Sequence, residues 1–167
     1  MRRLLPIALF LTVLAGSATV SPGQTPKPAR PALACPSHFR GPQFRNYPAL
    51  NRKLVPAGPT RFLVCRYSGL NVRNPESLAG SGVVRRGPRL HRVVRLYNRL
   101  PKAPPGPIVC PADTGRELTV QFRYRRRPDD LVWQSLSGCR FATNGHRSAE
   151  IDHRGERLLR LLRRISA

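Results

Sequence analysis

Four cysteines, Cys35, Cys65, Cys110 and Cys139, constrain this chain more than any other feature. None sits in a C-x-x-C pair and no histidine is spaced to complete a zinc site, so two disulfides are expected and a metal is not. Of the possible connectivities, Cys35–Cys65 with Cys110–Cys139 is the expected one, because it closes the shorter loops and ties each partner to a nearby strand. Each bridge should add about 2–4 kcal/mol by restricting the unfolded chain. That is a large share of the ~5–15 kcal/mol that stabilises a typical domain.

Disulfides require an oxidising compartment, and the N-terminus offers a route to one. Met1-Arg2-Arg3 is a short basic region, Leu4 to Ala15 is uncharged and apolar, and small residues follow from Gly16 to Thr19. This pattern predicts a signal peptide over residues 1–18, cleaved after Ser17 or Ala18. The apolar run reaches Val20 at most, short of the ~20 residues a membrane span needs. Residues 19–34 read as a proline-rich, extended linker. Its length separates Leu33-Ala34-Cys35 from the apolar segment, which argues against a lipoprotein cleavage box, and acylation would leave an odd number of cysteines. A secreted or extracytoplasmic, cell-envelope-associated protein is expected, with residues 35–167 forming one domain.

Within that domain, Glu117 to Arg125 alternates strictly and predicts a strand with Leu118, Val120, Phe122 and Tyr124 on one face. Pro128-Asp129-Asp130 predicts a turn and Leu131 to Leu136 the partner strand. On that strand Trp133 alternates with Leu131 and is expected in the core. Asn144-Gly145 predicts a second tight turn, joining Cys139–Thr143 to a short strand at His146–Ala149. Arg61 to Tyr67 reads as a strand carrying Cys65, with Tyr67 beside the disulfide and Arg66 pointing outward. Leu78–Arg86, interrupted by Gly80 and Gly82, reads as an edge strand or a loop. Leu90, Val93, Val94, Tyr97 and Leu100 fall on one face of a helix opened by Pro88 and stopped by Pro101. Leu158, Leu159, Leu162 and Ile165 mark a second helix from Glu156. The expected class is α+β: an antiparallel hairpin or meander sheet with two amphipathic helices packed on one face and two disulfides.

The net charge is +22, from 30 Lys+Arg against 8 Asp+Glu, and every basic residue except Lys27, Lys53 and Lys102 is Arg. A GC-rich genome also favours such a composition, so charge alone is discounted. Three groupings remain notable: Arg85-Arg86 with the helical ridge Arg89, Arg92, Arg95 and Arg99; Arg123, Arg125, Arg126 and Arg127; and Arg160, Arg163 and Arg164. The first two are the candidate polyanion-binding residues, with anionic cell-wall polymers or an anionic lipid surface as the expected partner. No nucleophile elbow, zinc-protease helix, phosphate loop or dinucleotide fingerprint is present. Neither enzymatic activity nor a cofactor is expected. Asp129-Asp130 reads as turn chemistry and Asp113 as a cap on backbone amides.

Several landmarks recur together: Val64-Cys65-Arg66-Tyr67-Ser68-Gly69-Leu70, Leu96-Tyr97-Asn98-Arg99-Leu100-Pro101, Cys110-Pro111-Ala112-Asp113-Thr114-Gly115, Gly138-Cys139 and Asn144-Gly145. In this order they resemble an uncharacterised group of secreted two-disulfide proteins of actinobacteria. The resemblance implies an extracytoplasmic, disulfide-stapled domain and brings no activity with it. A weaker resemblance, in the order of helix, Cys-Pro, hairpin and later cysteine, is to the Streptomyces subtilisin-inhibitor type. It implies an alternative function, a small inhibitor of an extracellular protease, with Pro111, Ala112 and Asp113 in the reactive loop.

Overall fold

The computed structural model describes residues 30–46, 48–106 and 109–167. The expected signal peptide lies outside the described residues, as does most of the expected linker. The alternating segment forms strand β3, Glu117–Arg123, with Leu118, Val120 and Phe122 fully buried on one face. It pairs antiparallel with β1, Arg61–Tyr67, on one side and with β4, Asp130–Ser135, on the other. Strand β2, Leu78–Arg85, extends the sheet beyond β1, and β5, Phe141–Thr143, and β6, Ser148–Glu150, extend it beyond β4. The result is one six-stranded sheet of order β2-β1-β3-β4-β5-β6, antiparallel throughout. Residues Ala32–Ala167 form one compact unit.

Two short helices complete the α+β domain: α1, Pro88–Asn98, and α2, Glu156–Ile165. Leu90, Val93 and Tyr97 of α1 and Leu158, Leu159 and Leu162 of α2 join Phe62, Val64, Val120, Phe122 and Val132 in one apolar core. Aromatic geometry organises its centre. The Phe62 and Phe122 rings lie 5.5 Å apart on paired positions of β1 and β3, and the Tyr97 ring meets Phe122 edge-on at 5.9 Å. The buried Tyr97 hydroxyl donates to Gln134 Oε1 at 3.0 Å, which gives both polar groups a partner.

The disulfides are Cys35–Cys65 and Cys110–Cys139, the expected pairing. The first pins residues 33–39 across the second face of the sheet, where Leu33, Cys35 and Phe39 pack on Leu63, Cys65 and Tyr67. With both faces covered, β1 is buried almost throughout, which is why its sequence does not alternate. Bridges of this kind are typical of proteins that mature outside the cytoplasm, and among the described residues no helix is long and apolar enough to cross a membrane.

One open alternative is decided and one expectation changes. Leu78–Arg85 is an edge strand despite its glycines. Trp133 is not in the core: Val120 pairs with Val132, so Val132 and Gln134 turn inward while Leu131 and Trp133 face the opposite side, half-buried. There the indole N–H donates to Glu117 Oε2 at 2.7 Å, a partner that an apolar core would not supply.

Candidate anion-binding surface

The apolar stripes of α1 and α2 are bound to the core, so their arginines are left outside. Arg89, Arg92 and Arg95 of α1, Arg99 just beyond its end, and Arg157, Arg160, Arg163 and Arg164 of α2 are all exposed. None of them is ion-paired among the described residues, and several of the carboxylates are engaged elsewhere. Asp129 binds Arg123, Glu156 binds Arg140, and Glu117 accepts the Trp133 N–H. Asp152 Oδ1 accepts the backbone N–H groups of Arg154 and Gly155. The helices therefore present an uncompensated positive surface.

That surface is concave at two places. Between the helices, Pro88, Arg89 and Arg92 of α1 and Leu161, Arg164 and Ile165 of α2 line a groove of about 410 Å³. On the other side of α2, Arg163 meets Arg66 of β1 and Arg116, the residue preceding β3, in a cleft of about 360 Å³ bordered by Tyr67 and Leu136. Consecutive helical residues point about 100° apart, so Arg163 and Arg164 serve different concavities.

The remaining predicted arginines are dispersed. Arg85 and Arg86 are exposed at the end of β2, immediately before α1. Register places Arg61 opposite both Arg85 and Arg123, so Arg125 and Arg126, exposed beyond β3, extend from the same end of the sheet. Arg123 cannot serve as a surface cation: it is 8% exposed and its Nε donates to Asp129 Oδ2 at 2.8 Å. Arg127 is half-buried, its guanidinium carbon 5.0 Å from the centre of the Tyr124 ring. Arg66, expected to point outward, is half-buried, and its Nη2 donates to the Ala79 carbonyl at 3.0 Å. Neither Arg66 nor Arg116 stands out in sequence, because their convergence depends on strand register.

The Cys110–Thr114 segment forms a separate feature. Val109 is 97% exposed, and Pro111, Ala112 and Asp113 are also exposed. The segment is braced by the Cys110–Cys139 bridge and by Asp113, whose Oδ1 accepts from the Gly115 N–H at 2.9 Å and the Ser137 hydroxyl at 2.5 Å. Asp113 is thus a turn-capping carboxylate. Its charge and that of Glu76 add to burial, the main cause, in holding the Glu117 carboxyl above the usual range, while the Trp133 N–H opposes them.

These features define a class, a disulfide-stapled α+β domain with an arginine-lined helical side. No protein-family model, curated protein or solved structure matches the chain.

Proposed function

We propose that this protein is a secreted, non-enzymatic domain of the cell envelope that holds anionic polymers against its helical side. The observation that carries this reading is the interhelical groove, where Arg89, Arg92 and Arg164 from two helices surround Leu161 and Ile165 with no acidic neighbour among the lining residues. A linear polyanion laid along it meets several guanidiniums at once, while Arg85 and Arg86 continue the positive track. The mechanism is charge neutralisation, so binding should fall steeply with salt.

The test is retention of the oxidised protein on purified envelope polymers and anionic vesicles at about 50 and 500 mM salt, conditions that span strong and weak screening. Retention at low salt only, reduced in an Arg89→Gln/Arg92→Gln/Arg164→Gln variant, is the expected outcome. Retention that ignores both salt and the triple substitution would overturn the reading.

The braced, exposed Val109–Asp113 segment favours a second reading, a protease inhibitor of the subtilisin-inhibitor type. It would present Ala112 and its neighbours as a slowly cleaved substrate. Titration against a panel of subtilisin-like proteases should then show stoichiometric inhibition that disappears on reduction, and absence of inhibition across the panel would remove this alternative.

A further inference from the structure

We infer that the cleft formed by Arg66, Arg116 and Arg163 is a discrete site for a phosphate monoester. The three residues come from β1, the lead into β3 and α2, and they line one concavity of about 360 Å³. None is ion-paired to a carboxylate among the described residues. Glu117, the acid nearest in sequence, turns to the opposite face of the sheet and binds Trp133.

Arg66 is the anchor. It is half-buried, it lines the cleft, and the Ala79 carbonyl accepts from its Nη2 and so fixes one end of the guanidinium. A partly desolvated cation of this kind is ordinarily paired. Arg116 is exposed, with Nε directed to Thr114 Oγ1 at 3.3 Å, and Arg163 is exposed on the helix. One guanidinium satisfies a carboxylate in bidentate fashion. Three, arriving from three directions, match a group with three terminal oxygens and a charge approaching −2. The cleft is larger than a phosphate, so it accommodates the ester substituent, with Leu136 and Tyr67 at its border. None of the three arginines lines the interhelical groove, so this inference does not rest on the polymer reading.

Isothermal titration of inorganic phosphate, glycerol phosphate and acetate into the oxidised protein tests it. Both phosphates should bind as one ion per chain, and acetate should bind much more weakly. Arg116→Gln should weaken phosphate binding by about tenfold or more, whereas Arg52→Gln, at an exposed arginine outside the cleft, should leave it unchanged. If Arg66→Gln unfolds through loss of its Ala79 contact, the exposed Arg116 still carries the test. Tighter binding of glycerol phosphate than of inorganic phosphate would identify an esterified group as the ligand, and the reverse would identify the free ion. No phosphate binding, acetate binding equal to phosphate, or full affinity in the Arg116 variant would each overturn the site. If polymer retention fails while phosphate binding persists, the polymer reading falls and this one stands.

Discussion

The main-chain oxygen of Ile165 occupies the space where a β-carbon on Gly82 would lie. The Ser166 oxygen does the same at Gly80, so the last turn of α2 rests directly on the backbone of β2. The glycines that weaken this strand locally are what allow the helix to approach it. Gly82→Ala should force α2 outward and destabilise the domain by about 1–3 kcal/mol. Because Arg164 and Ile165 share that turn, the same substitution should weaken retention on anionic polymers. Urea denaturation paired with the retention assay checks both, and an alanine variant of unchanged stability would show that the helix is not seated this way.

Asn144 joins two parts of the chain far apart in sequence. Its Nδ2 donates to the carbonyls of Leu50, Lys53 and Leu54 at 3.2, 3.0 and 3.2 Å, while Oδ1 accepts the His146 and Arg147 N–H groups at 3.0 and 2.9 Å. Aspartate would preserve the turn but would remove the donors and set a charge against carbonyl oxygens. Asn144→Asp should therefore cost at least about 2 kcal/mol, the scale of a buried group left unsatisfied. A thermal melt matching the parent protein would reduce Asn144 to a local turn residue.

This residue shows where sequence reading stops. Asn144-Gly145 announces a turn through local chemistry, and the turn is present. Its tertiary partners lie 90 or more residues away in a segment without periodicity, and nothing local marks them. The strands and helices with clear periodicity, β3, α1 and α2, are legible because a single face is apolar, even in β3, where Thr119 and Arg123 of the polar face are buried as well. β1 is buried on both faces and reads only as an apolar run. For β4, alternation gives a period without a phase: register with β3 turns Val132 inward and Trp133 outward. The candidate site divides in the same way. The α1 ridge follows from helical spacing, but the Arg66, Arg116 and Arg163 cleft requires a register and a helix position that only the assembled fold supplies.

Asp130 makes stability depend on pH. It is 2% exposed, next to the Tyr97 and Gln134 pair, and burial raises its carboxyl from 3.8 to about 7 against the opposing effects of the Leu131 N–H and the Arg127 charge. A folded-state value above the unfolded one means that the native state holds the proton longer. The associated stability is complete below about pH 4, the unfolded value, and is lost as pH rises through about 7. The loss should amount to a few kcal/mol, since each tenfold difference in proton affinity between the folded and unfolded chain is worth ~1.4 kcal/mol. Asp130→Asn keeps the size and the backbone acceptor but cannot ionise, so it should flatten this dependence and be more stable than the parent at pH 8. Denaturation series at pH 4, 6 and 8 on both proteins provide the comparison, and parallel profiles would remove Asp130 as the cause.

The two bridges differ in access, and that difference orders their reduction. Cys65 is fully buried beneath residues 33–39, whereas Cys110 is exposed on the loop that carries Val109 and Pro111. Thiol–disulfide exchange requires a thiolate to reach a sulfur, so a mild reductant under native conditions should open Cys110–Cys139 first. Cys35–Cys65 should open only as the sheet's second face is uncovered. Alkylation of the freed thiols followed by peptide mass mapping should find Cys110 and Cys139 labelled well before Cys35 and Cys65. Since the loops span 30 and 29 residues, chain entropy predicts nearly equal stabilisation, about 3–4 kcal/mol for each. A difference in reduction rate without a comparable difference in stability would thus be the signature of access. Simultaneous labelling of all four thiols would mean that global unfolding governs both bridges and that the exposed loop gives no separate entry.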